Sequence, residues 1–226
     1  MHTEIIIGGS HGIGHAYLTR RLSESLIINI SRTAPDITHA HLTHHSLDVT
    51  TDELPDVIAA DRLLYFPGTI NLKPFNSLSE QDYLDDFRVN VLGAVRAIKK
   101  YAPLLKKSDD ASITLFSTVA VAQGMPFHAS VAVAKAGIEG LTRSLAAEFA
   151  PKIRVNCLAI NMTDTPLAER FLRNEKARES IADRQPLKRI LTADEVAEMT
   201  EFVAVRAKGM TGQVIGLDLG LSTLRL

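Results

Sequence analysis

The run Gly8-Gly9-Ser10-His11-Gly12-Ile13-Gly14 constrains this chain more than any other stretch. An apolar segment, Ile5-Ile6-Ile7, leads into it, and residues at helical spacing (Ile13, Ala16, Tyr17, Leu22) follow it. A strand, a glycine turn and a helix start in that order form an anion cradle. Glycine lets the backbone turn sharply and approach a pyrophosphate, while the helix N-terminus offers free N–H groups and the positive end of its dipole. The pattern predicts a nucleotide-binding chain and leaves open whether chemistry is done with the nucleotide.

Beyond the glycines, short apolar runs alternate with longer amphipathic ones. Strands are predicted at 3–7, 26–30, 44–48, 62–66, 112–117, 153–158 and 213–217. Helices are predicted at 13–24, 51–59, 79–106, 127–149, 166–182 and 193–206. This alternation implies βαβ crossovers and an α/β fold: three layers, with a doubly wound parallel sheet covered on both faces. Thr50-Thr51-Asp52-Glu53 and Thr192-Ala193-Asp194-Glu195 read as capping boxes at helix starts. Pro103 predicts a kink or an early end to the 79–106 helix. No repeat or linker divides the chain, so residues 1–226 are expected to form one domain.

Composition narrows the partners. A net charge of −1 gives no electrostatic case for nucleic acid or an anionic membrane, and no apolar run has membrane-span length. The absence of Trp argues against stacking surfaces. With Cys157 as the single cysteine, no intrachain disulfide is possible. The chain enters a strand without a leader-like segment, so a reducing cytoplasm is the expected setting.

Several further motifs stand in a specific order. Gly8, Gly12 and Gly14 are spaced G-x-x-x-G-x-G, and Asp48-Val49 follows the third strand. Then come Asn90-Val91-Leu92-Gly93, Ala134-Lys135-Ala136, Arg154-Val155-Asn156, Thr165-Pro166-Leu167 and Thr211-Gly212-Gln213 with Asp218-Leu219-Gly220. Nearly end to end, the chain resembles the short-chain dehydrogenase/reductase family. That resemblance implies a Rossmann fold of seven strands in the order 3-2-1-4-5-6-7, with a substrate lid at about 160–190. It also implies a homodimer or homotetramer assembled through helices 79–106 and 127–149. The cofactor-binding set it implies is Gly8, Ser10, His11, Gly12, Ile13, Gly14, Arg32, Asp48, Val49, Gly68, Asn90, Lys135, Met162 and Thr165.

The cofactor itself is read from the end of the second strand, Ile30-Ser31-Arg32. An acidic residue there selects the ribose diol of NAD. A guanidinium beside a small hydroxyl suits the 2′-phosphate of NADP(H) instead, with His11 as a second donor. Taken alone, Arg32 also reads as a solvated loop residue. In the family Asp48 accepts a hydrogen bond from the adenine amine; alone it equally reads as a helix cap.

The resemblance implies Asn90, Thr118 and Lys135 as catalytic residues, Thr118 standing where the family has Ser. The family's proton donor, a Tyr four residues before the Lys, is here Val131. His128, Ser130 and Tyr65 are candidates to replace it; a water on an Asn90–Lys135 relay is another route. The expected activity is hydride transfer between NADP(H) and a small carbonyl or alcohol substrate. The alternative is an NADP(H)-binding protein of the same fold without redox activity, a sensor or structural subunit. The segment Ile160-Asn161 departs from the family's Pro-Gly, and Tyr65-Phe66-Pro67 departs from its Asn-Asn-Ala.

His39, His41, His44 and His45 lack carboxylate or Cys partners at ligand spacing, so no metal site is expected. Cys157 lies among strand residues and reads as a buried, inert thiol. The arginines at 170, 173, 178 and 184 suit either an anionic substrate or a solvated helix, since acidic residues are interspersed.

Overall fold

In the computed structural model, which describes residues 1–224, the elements follow the order β1 (His2–Ile7), α1 (Gly12–Arg21), β2 (Ser25–Ser31), β3 (Leu42–Ser46), β4 (Arg62–Tyr65), α2 (Glu80–Phe87), α3 (Gly93–Leu105), β5 (Ala111–Thr118), α4 (Ala129–Phe149), β6 (Ile153–Ile160), β7 (Thr163–Asp164), α5 (Glu175–Ala182), β8 (Leu191–Thr192), α6 (Ala193–Glu201) and β9 (Val214–Leu217). The main sheet runs β3-β2-β1-β4-β5-β6-β9 with every pairing parallel. This is the expected order; the two-residue strands β7 and β8 form a separate parallel pair and only shift the last number. That pair ties together the two ends of the 160–190 segment.

Strands buried on both faces read as unbroken apolar runs, because alternate side chains feed opposite layers. Ile5, Ile7 and Leu63 point to the face covered by α3 and α4, together with Val91, Ala97 and Ile98. Ile6, Ile27 and Leu64 point to the other face, packing with Tyr17 and Leu18 of α1 and Ala197 of α6. Each fully buried Ile or Leu contributes about 1.5–3 kcal/mol. The strand order reverses at β1, which lies between β2 and β4, and such switch points open a crevice at the carboxyl ends of the strands.

At the opposite end of the sheet lies a buried ionic network. Glu4 of β1 is fully buried. Its Oε2 accepts from Tyr17 Oη at 2.7 Å; its Oε1 accepts from Arg21 Nε at 3.1 Å, Arg21 Nη2 at 3.0 Å and Ser25 Oγ at 2.7 Å. Arg62 of β4 approaches the same Oε1 at 3.6 Å and donates to Asp110 at 2.8 Å.

Two helix expectations are corrected. Residues 51–59 form no helix. Asp48 Oδ1 accepts from Thr50 N and Thr50 Oγ1, and Asp52 Oδ2 accepts from Asp48 N, so these side chains close a turn rather than a capping box. Pro55 then disfavours helical backbone at Leu54, which enters the core. Residues 166–182 break into a 3₁₀ turn (Pro166–Ala168) and α5, because Asn174 is extended and caps a new helix through Ala177 N. Helix α3 continues two residues beyond Pro103. The third strand ends at Ser46, so Asp48 lies in the loop after it.

Candidate functional site

The glycine loop joins β1 to α1 at the switch point. Gly8 and Gly12 hold φ of +81° and +55°, the left-handed region that favours glycine. A Cβ on Gly14 would lie 2.3 Å from the Gly8 carbonyl oxygen, so the loop closes on itself only with glycine there. The α1 N-cap, His11, makes no side-chain cap, and the first turn holds no acidic residue. The helix start therefore presents free N–H groups to a cleft of about 740 Å³.

Gly8, Ser10, His11, Gly12, Ile13, Gly14, Arg32, Asp48, Val49, Gly68 and Thr165 all line this cleft. Arg32 has no carboxylate within ion-pair distance among the described residues, so its guanidinium is available to an anion. The hydrogen bonds from Thr50 hold Asp48 below the usual carboxylate range, with Arg32 and Arg96 adding to the effect. Thr118 and Met162 stand outside the lining. Thr118 Oγ1 accepts from Ala120 N at 3.4 Å, capping a 3₁₀ turn. Met162 N donates to Asn161 Oδ1 at 2.7 Å.

Asn90 and Lys135 converge behind Gly68. A Cβ on Gly68 would lie 3.2 Å from Lys135 Nζ and 3.3 Å from Asn90 Oδ1. Asn90 sits in a π-helical turn, Arg88–Leu92, that joins α2 to α3. Its Nδ2 donates to Asp86 O and to Thr69 Oγ1, each at 2.8 Å, while its Oδ1 is buried without a partner. Lys135 Nζ donates to Phe116 O at 2.9 Å. Burial pulls this lysine down to about 8, and the neighbouring Asp86 carboxylate opposes that pull.

A lysine depressed in the folded state penalises folding while it is charged, fully below pH 8, and the penalty fades as pH rises towards its unfolded value. The stability of the native chain relative to Lys135→Met should therefore rise by on the order of 3 kcal/mol between pH 7 and pH 11. Urea unfolding at several pH values checks this; a pH-independent difference would contradict it. Cys157, whose thiol burial pushes up to about 12, titrates in both chains and cancels.

None of the three proposed substitutes for the missing Tyr lines the cleft. Tyr65 Oη donates to Val89 O at 2.6 Å, and burial pushes its phenol well above the ordinary value. His128 is half-buried at the start of α4, with Nδ1 2.6 Å from Pro126 O. Ser130 Oγ is buried without a partner. Val131 itself is buried.

Three side chains at the cleft were not singled out in the sequence. Asn29 of β2 accepts from Gly9 N at 2.9 Å and donates to Ser10 Oγ and Ser31 Oγ, bracing the glycine loop against the strand that carries Arg32. Its signal was a polar residue inside the apolar run of β2. Thr69 lines the cleft, and Asp86 lies beneath it. Asp86 is one helical turn before Asn90, which places the two on one face.

Elsewhere, His39 and His41 stack edge-on, and His41 and His44 bond Leu22 O and Asn29. Among the described residues no group of three or more His, Cys, Asp or Glu is arranged to hold a metal. A second cavity of about 780 Å³ lies in the 166–178 segment. Its arginines are partly committed: Arg178 pairs with Asp164 at 2.7 Å, and Arg170 donates to Ile70 O. No described helix is long and apolar enough to cross a membrane.

Residues 55–222 match the family described as enoyl-(acyl carrier protein) reductase. A 3-oxoacyl-acyl-carrier-protein reductase of Thermotoga maritima is 36% identical over 146 residues, 64% of this chain and 58% of the relative. The chain thus spans little more than half the length of that protein. A tropinone reductase homologue of Arabidopsis thaliana is 27% identical over 244 residues, 97% of this chain and 92% of the relative. Among solved structures, the aldohexose dehydrogenase of Thermoplasma acidophilum superposes with a TM-score of 0.89 at 28% identity, over 99% of this chain and 95% of that one. The protein ElxO, solved with NADP bound, superposes at 0.87 over 99% of each chain; at 21% identity that likeness is of fold alone.

Proposed function

The chain belongs to the short-chain dehydrogenase/reductase family, and from that premise we propose that it is an NADP(H)-dependent oxidoreductase acting on a small carbonyl or alcohol, with a modified proton-transfer site. One observation carries the reading: a single cleft runs from Arg32 and Asp48, past the open start of α1, to Gly68, behind which Asn90 and Lys135 meet. An adenosine 2′-phosphate would lie against Arg32 and His11, and a pyrophosphate against Gly12 and Ile13. A nicotinamide ribose would lie against Gly68, within reach of the unpaired Asn90 Oδ1 and the remaining Lys135 N–H donors. When bound, NADP(H) supplies or accepts the hydride; the chain's residues orient it and exclude water. The NADP-bound ElxO structure and the reductase relatives support this cofactor class. Exposed Leu84, Leu92 and Val133 on α2, the π turn and α4 support assembly into a homodimer or homotetramer through these helices.

The second reading, a cofactor-binding protein without redox activity, draws on Val131 and on the withdrawal of Tyr65, His128 and Ser130 from the cleft. One experiment separates the two. NADPH and NADH are titrated against the native chain and Arg32→Glu, and NADPH turnover with a carbonyl panel is followed in the native chain and Val131→Tyr. The proposal expects at least about tenfold tighter binding of NADPH than NADH, lost in Arg32→Glu, and measurable native turnover. Turnover in Val131→Tyr alone would establish the non-redox reading.

A further inference from the structure

The polar groups behind Gly68 form a directional chain. Thr69, on the cleft wall, donates from Oγ1 to Asp86 Oδ1 at 2.6 Å and accepts at Oγ1 from Asn90 Nδ2 at 2.8 Å. A hydroxyl has one proton to give and two lone pairs. The proton is committed to Asp86 and one lone pair to Asn90, so Thr69 has only a lone pair left. Towards a ligand it is an acceptor. With Asp86 ionised it therefore fits a substrate O–H rather than a carbonyl oxygen.

Asp86 is only 2% exposed, and its Oδ2 is buried without a partner. A buried carboxylate with a free oxygen is costly unless something nearby balances it. Lys135 is the cation that interacts with it across the α2–α4 contact. Ser130 Oγ, on the first turn of α4, is also buried and unpartnered. This arrangement places a basic group one hydroxyl away from the cleft, as the only buried residue of a helix whose other side chains are exposed or half-buried.

The geometry points to an alcohol as the substrate, with Thr69 accepting its hydroxyl proton while Asp86 takes the proton of Thr69. The inference rests on the redox reading above. The alcohol O–H breaks and its proton passes to Thr69 Oγ1, and the Thr69 proton passes to Asp86 Oδ1. NADP⁺, held against Arg32, the glycine loop and Gly68, would supply the two-electron acceptor for the carbinol hydrogen and its electron pair, so that the carbon–oxygen bond becomes a carbonyl. Once the carbonyl product leaves, Asp86 returns the proton through Thr69 Oγ1 to water in the cleft. Thr69 is the residue that touches the reacting oxygen. Asp86 acts through it and is a positioning residue; Asn90 holds the Thr69 lone pair and so orients its proton towards Asp86. No Tyr is needed at position 131, because the proton leaves on the α2 side of the cleft rather than towards α4.

The test follows NADPH formation from NADP⁺ with ethanol, 2-butanol and cyclohexanol, in the native chain and in Asp86→Asn, Thr69→Val and Thr69→Ser. General-base catalysis contributes about two to four orders of magnitude. Asp86→Asn and Thr69→Val should each lower kcat at least about 100-fold, and Thr69→Ser should stay within about tenfold of native. Independently of turnover, the Lys135 titration, followed by carbon-13 NMR at its Cε, should move to lower pH in Asp86→Asn and stay in place in Thr69→Val. Native-like rates in Asp86→Asn and Thr69→Val overturn the inference and leave the redox reading standing. An unmoved Lys135 titration in Asp86→Asn overturns the placing of the charged carboxylate. A native chain that oxidises no alcohol and reduces no carbonyl overturns both the inference and the redox reading.

Discussion

Replacing Glu4 by Ala should destabilise the chain by about 3–5 kcal/mol, a large part of the roughly 5–15 kcal/mol that holds a domain folded. The reason lies in what is left behind. Glu4 supplies the acceptors for Tyr17, Arg21 and Ser25, and its carboxylate faces Arg62. Arg62 is 1% exposed and already has Nε and Nη1 without hydrogen-bond partners. Removing the carboxylate leaves that guanidinium with Asp110 alone, and leaves Tyr17 Oη without an acceptor beneath the sheet. Glu4→Gln keeps the shape and one acceptor, so it should lose clearly less than Glu4→Ala. Urea unfolding of the three chains measures the effect, and a loss below about 1 kcal/mol for Glu4→Ala would show that the network reorganises. The cleft lies at the other end of β1, so cofactor affinity in the folded fraction should change little.

Gly93→Ala is the second large effect, and it reaches the site. A Cβ at position 93 would lie 2.0 Å from Tyr65 Oη and 3.1 Å from its Cζ. Tyr65 is 2% exposed and tied to Val89 O, so the ring has little freedom to withdraw. Overpacking a well-filled interior costs about 1–3 kcal/mol, and the directness of this overlap puts the expected loss near the top of that range. Tyr65→Phe removes the overlapping oxygen and one buried hydrogen bond, at about 1 kcal/mol. In that background Gly93→Ala should cost at least about 1 kcal/mol less than alone, a coupling readable from a double-mutant cycle. Additivity of the two changes would show that the methyl is accommodated by helix movement instead. Asn90 lies between Val89 and Gly93 in the π turn, so Gly93→Ala should also weaken cofactor binding more than its effect on stability predicts.

The same pair shows what the sequence carried and what it hid. Asn90-Val91-Leu92-Gly93 was legible as a motif, but the need for glycine became visible only once Tyr65, 28 positions earlier, was seen to point its hydroxyl there. The sheet was legible because Ile5-Ile6-Ile7 and its counterparts are buried on both faces, and such runs have few other uses. That the glycine loop, Arg32, Asp48 and Gly68 share one cleft was legible because backbone conformation and strand ends dictate it. The 51–59 helix was misread because a capping pattern competes with side-chain turns, and Pro55 decided between them. Thr118 and Met162 were carried over by position, and position along the chain does not fix which way a side chain faces. Thr69 and Asp86 were not singled out because what links them is hydrogen-bond direction, which no spacing rule records.

β3 forms one border of the main sheet, with β2 on one side and no strand on the other. Unpaired N–H and C=O groups along such a border invite strands from other molecules, and long, flat, apolar borders aggregate. This one is five residues long, Leu42-Thr43-His44-His45-Ser46, and it offers no apolar stripe on which a second strand could zip. This short, polar border thereby resists edge-to-edge association, and its replacement by Val or Ile at positions 44 and 45 would turn a self-avoiding border into an adhesive one.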